Sequence, residues 1–129
     1  MLNTVIEQDK ILRELMKRSK LTEAQWDTLL LYNLRNLKLK DKCKLRDNVE
    51  VSKGAFLRTY KQAIDNCMKA AFTMITLEYL GLCKEGSLEG LSKLSQMLSS
   101  SDKRFYDKDK VFFIIENLER IIKEMLIVK

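Results

Sequence analysis

The residues with the plainest chemical capacity in this chain are cations, and they are gathered in one place. Residues 35–69 hold ten of them (Arg35, Lys38, Lys40, Lys42, Lys44, Arg46, Lys53, Arg58, Lys61 and Lys69) against four carboxylates, a net of +6. The whole 129-residue chain also has a net charge of +6, so the remainder is neutral. A localised excess of this sort suits one face that meets a polyanion while the rest serves solubility. A lysine-rich solvated loop has the same composition. Other chemistry is poorly supplied. There is no histidine, so the commonest general base and metal ligand is missing, and with it Ser-His-Asp and Cys-His catalysis and the usual zinc sites. Cys43, Cys67 and Cys83 form no CxxC pair and are odd in number, which speaks against a zinc knuckle or a disulfide framework and for a reducing, intracellular setting. Asp102, Asp107 and Asp109 lie near a helix start, where capping explains them better than a cation does. The expectation is a protein that is not an enzyme and needs no cofactor or metal.

These cations must be carried by helices. The chain has no proline and four glycines, three of them within residues 81–90, so little interrupts a helix elsewhere. Residues 4–18 place Val5, Ile6, Ile11, Leu12 and Leu15 at helical spacing. The stretch LTEAQW then announces a second helix, with Thr22 and Gln25 as a capping box and Leu21 placed to staple onto Trp26; it should run to about Asn36. Ser52 opens a third helix in the same way, flanked by Val51 and Phe56, and nothing breaks it before Gly81, a natural residue just past a helix end. Phe56, Tyr60, Ala63, Cys67, Ala71 and Met74 form one stripe on it, with Ile64, Met68, Phe72 and Ile75 alongside, so its far half is expected at the centre of the core. A short helix through Leu91, Leu94, Met97 and Leu98 and a last one from about Asp107 follow. Val111, Ile115, Leu118, Ile122 and Met125 make a seam on that last helix, with Ile114, Ile121 and Val128 beside it, fit for packing in the bundle or for a homodimer. The fold expected is all-α: a single compact helical domain over residues 1–129, of about five helices with a long central one, residues 87–129 packing or dimerising. The N-terminus lacks the order of a signal peptide, and the longest apolar run, residues 70–77, falls short of the roughly 20 residues of a membrane helix. A soluble, cytoplasmic protein is expected.

The segment 21–70, LTEAQW … LKLKDKCKLRDNVEVSKGAFLRTYKQA, resembles the helix-turn-helix domain of sigma-factor region 4 and the related response-regulator output domains. The resemblance implies a recognition helix beginning at Ser52, with Leu45, Val49, Val51 and Phe56 at the apolar positions of the motif. Two residues depart from it: Arg46 stands where a small residue lets two helices approach, and Glu50 where glycine usually permits a left-handed turn. A second register puts LKLKDKC on the first helix of the motif, Cys43 at the small position, with a longer turn. On this resemblance Ser52, Lys53, Gly54, Leu57, Arg58 and Lys61 face the major groove, and Phe56, Tyr60 and Ala63 point inward. Arg58 would read guanine bidentately, a contact worth about 1–3 kcal/mol of discrimination. Lys53, Lys61 and Ser52 would meet phosphates, and Gly54 would let the helix end come close. Lys38, Lys40, Lys42, Lys44 and Arg46, with no aromatic among them, suit phosphate contact rather than stacking on unpaired bases. Against this, Asp65 offers Arg58 and Lys61 an ordinary partner on the same helix. The function implied is double-stranded DNA binding by a transcriptional regulator. Two other readings fit the same face: a helical subunit of a ribonucleoprotein or CRISPR-type effector holding a nucleic-acid backbone, and a protein-interaction module with a degenerate motif.

Overall fold

A computed structural model describes residues 2–47, 50–103 and 106–126. Val49 and Val128 lie outside the described residues. Those described form seven α-helices and no strand: α1 (Leu2–Gln8), α2 (Lys10–Arg18), α3 (Glu23–Tyr32), α4 (Leu39–Lys44), α5 (Lys53–Tyr79), α6 (Ser87–Ser100) and α7 (Lys108–Leu126). The all-helical class agrees with the periodicity of the sequence; the number exceeds the five expected for two reasons. The first helix is split at Asp9, whose extended backbone and carboxylate, accepting the Leu12 N–H at 2.9 Å, start α2 afresh. The second helix stops at Tyr32, and a separate six-residue α4 follows. The chain divides into two compact units, residues 1–69 and 70–129.

In unit 1 the capping box forms as the sequence implies: Thr22 Oγ1 accepts the Gln25 N–H and Gln25 Oε1 accepts the Thr22 N–H. Trp26 donates its indole N–H to Ser19 Oγ at 2.9 Å and is half-buried rather than central. The core cluster takes one side chain from each of three helices, Leu31 of α3, Cys43 of α4 and Phe56 of α5, with Leu34, Leu39 and Val51 packed against it. Enclosing a side chain the size of Phe56 contributes about 1.5–3 kcal/mol, which sets the rotation of α5 about its axis. Ala63, two turns on, is also buried, and Tyr60 stacks on Tyr32 with ring centroids 3.8 Å apart.

A second interior feature is polar. Asp27 of α3 is 2% exposed; its carboxylate accepts the backbone N–H of Leu2 and that of Asp47, each at 3.0 Å, and faces Arg46 Nε at 3.4 Å. Arg46 also donates to Thr28 Oγ1. One carboxylate thus ties the start of α1 to α3 and to the segment leading into α5, and its burial is tolerated because both oxygens are hydrogen-bonded and a guanidinium faces it.

In unit 2, α5 ends as Gly81 predicts: Gly81 adopts φ 69°, its N–H reaches Glu78 O, and the Leu82 N–H reaches Leu77 O at 2.8 Å, a Schellman closure. The chain after α5 is pinned to the end of α7 through Lys84 N–H to Met125 O, and Gly90 of α6 meets the Met125 side chain. Val111 and Ile115 are buried, while Leu118, Ile122 and Met125 are half-buried. The far half of α5 does not form the centre of a core: Phe72 and Ile75 are exposed.

Candidate nucleic-acid interface

The first turns of α5 separate two kinds of residue. Ser52 caps the helix, its Oγ accepting the Ala55 N–H at 3.1 Å. The buried side is held by Phe56 and Ala63, with Tyr60 half-buried. On the other side Ser52, Lys53, Gly54, Leu57, Arg58 and Lys61 are all exposed. Lys53, Leu57 and Lys61 stand at intervals of four, with Gly54 and Arg58 on the adjacent line, so they share one face. Among the described residues, Lys53, Arg58 and Lys61 have no ion-pair partner, and Asp65 does not take up either neighbour. A Cβ placed on Gly54 would meet open space.

The lysines of the preceding segment part company. Lys40 and Lys44 are exposed one turn apart on α4, and Lys38 is exposed just before it. Lys42 is the exception to the phosphate-contact expectation. It is 9% exposed, its ammonium donating to Tyr32 O at 2.8 Å and lying over the Tyr32 ring, so it closes the C-terminal end of α3, where a cation is favoured. Arg46 is likewise turned inward onto Asp27. Neither was recognisable as structural by type: the sequence offered no sign that Asp27, in the middle of an apolar helix, would be the buried anchor.

The two residues that depart from the motif both follow α4. Arg46 lies beyond the end of that helix, whereas Cys43 on it is 3% exposed in the core cluster. Glu50 is exposed in the connection to α5, and no described non-glycine residue has a positive φ, so no left-handed geometry is demanded of it. The longer connection is fastened at Val51 N–H to Cys43 O, 3.3 Å, and at Asp47, whose carboxylate accepts the Asn3 N–H at 2.7 Å. Burial pushes the Asp47 carboxyl up, but hydrogen bonds from the N-terminal end, the Asn3 and Leu2 N–H groups among them, outweigh it and hold the group below the usual carboxylate range. The sequence also did not single out Arg35, which is exposed and lines an open cleft with Tyr32, Asn33 and Leu57 beside the cationic face. Its signal was only its charge.

No group of three or more potential metal-ligating side chains occurs among the described residues, and no described helix is long and apolar enough to cross a membrane. No family model, curated protein or solved structure matches the chain.

Proposed function

We propose that the chain binds double-stranded DNA through the first turns of α5, as a regulator with a helix-turn-helix made of α4, the connection after it, and α5. The observation that carries this is the division of α5: an exposed face of Lys53, Gly54, Leu57, Arg58 and Lys61 without acidic partners, backed by Phe56 and Ala63 in the three-helix core. A helix whose outward cations are unpaired and whose inward side is fixed is suited to entering a groove. Cys43 and Leu39 facing Leu31 and Phe56 support the register in which α4 is the first helix of the motif. Arg58 reads a base, Lys53, Lys61, Lys40 and Lys44 meet phosphates, and Ser52 adds its hydroxyl at the helix start.

Titration of labelled duplexes of differing sequence, and of a single-stranded RNA, at two salt concentrations tests it. Arg58→Ala is expected to weaken the preferred duplex by about 5–150-fold and to relax preference, whereas Lys40→Ala weakens all duplexes alike and lowers the salt slope by about one. Salt-dependent binding without preference would point to a backbone-holding ribonucleoprotein subunit. Absence of binding at low salt would leave a protein-interaction module.

A further inference from the structure

The second half of α5 carries an exposed strip with no charge on it. Phe72, Ile75 and Tyr79 recur at intervals of three and four and are 62%, 53% and 88% exposed. Leu80, whose N–H continues the helical path to Thr76 O, is 60% exposed beside them. Ala71 and Thr76, also exposed, keep the strip shallow between its large residues. We propose that a second copy of this chain covers the strip, pairing the α5 far halves of two molecules into a homodimer.

Three observations select a second copy as the occupant. The first is area: at about 150–250 Å² for a fully exposed aromatic, the four large residues present roughly 500 Å² per copy, so a twofold pair buries about 1,000 Å², where specific interfaces begin. The second is charge. Residues 70–129 hold nine basic and nine acidic residues, so two such units meet without net repulsion, whereas an anionic membrane would be met by a basic rim that unit 2 lacks. The third is pattern: knobs spaced three and four apart fit the holes of an identical helix, and a twofold contact places the same patch on both sides. Met68, one turn before Phe72 on the same helix, is exposed as well, so the apolar line on α5 is longer than the four residues counted for the area.

Sedimentation equilibrium of the full chain without nucleic acid, at micromolar to submillimolar concentration, tests this independently of DNA binding. The wild-type chain is expected to show a monomer–dimer equilibrium. Phe72→Gln with Ile75→Lys, both at exposed positions, should raise the dimer dissociation constant at least about 100-fold while far-ultraviolet circular dichroism is unchanged. Phe113→Gln, an exposed apolar site on α7, should leave it within a few-fold. A chain that is monomeric throughout overturns the proposal, as does a monomer that co-sediments with phosphatidylcholine vesicles, or a dimer dissociated by Phe113→Gln but not by the α5 changes.

Discussion

Replacing Asp27 by alanine should be among the most damaging single changes available in unit 1. The carboxylate accepts two backbone N–H groups from residues far away in sequence and faces a guanidinium. Its removal leaves Arg46, with a side chain only 9% exposed, holding a charge that Thr28 alone cannot compensate. Breaking a buried pair by deleting one partner costs about 3–5 kcal/mol, and each stranded N–H about 1–3 kcal/mol, contributions that overlap because the partners share one group. A loss of about 3–5 kcal/mol is a large part of the 5–15 kcal/mol that holds a typical domain. Urea unfolding followed by Trp26 fluorescence reads it directly, since Trp26 adjoins Asp27 and is the chain's one tryptophan. At a slope of about 1–3 kcal/mol per molar, the midpoint should fall by roughly 2 M. The double change Asp27→Leu with Arg46→Met should cost less than Asp27→Ala alone, because no unpaired charge remains. If Asp27→Ala shifts the midpoint by a few tenths molar, or the double change costs the sum of the two single ones, the description of this carboxylate as the anchor of the unit is wrong.

Acid should loosen the same region. Asp47 titrates below its unfolded value, so its stabilising contribution is complete above about pH 4 and is lost as the pH falls through the lower folded value; the urea midpoint should drop there, and Asp47→Asn should flatten that drop. Thr22→Ala removes one half of a formed capping box and should lower stability by about 1 kcal/mol in the same assay.

The helical class, the start of α3 at Thr22, the start of α5 at Ser52 and the end at Gly81 were legible because each is a local signal: a capping residue, an apolar period, a glycine. The inward and outward faces of α5 were legible for its first three turns for the same reason. The break at Asp9 was missed because an aspartate within an amphipathic run reads as a surface charge until its carboxylate is seen to cap. Lys42, Arg46 and Asp27 were illegible since their roles depend on partners 10 to 25 residues away, and charge type does not reveal burial. The far half of α5 misled in the opposite direction, since apolar periodicity states that a face wants to be covered but not by which molecule.

That strip also bears on how the chain is handled by water before any partner arrives. Residues 70–77 contain no charge, and Lys69 and Glu78 bracket them. Flanking charges of this kind act as gatekeepers against indiscriminate clumping of a sticky segment. Exposed Lys69 and half-buried Glu78 thus guard this segment, and neutralising either one should cost solubility well before it costs folding.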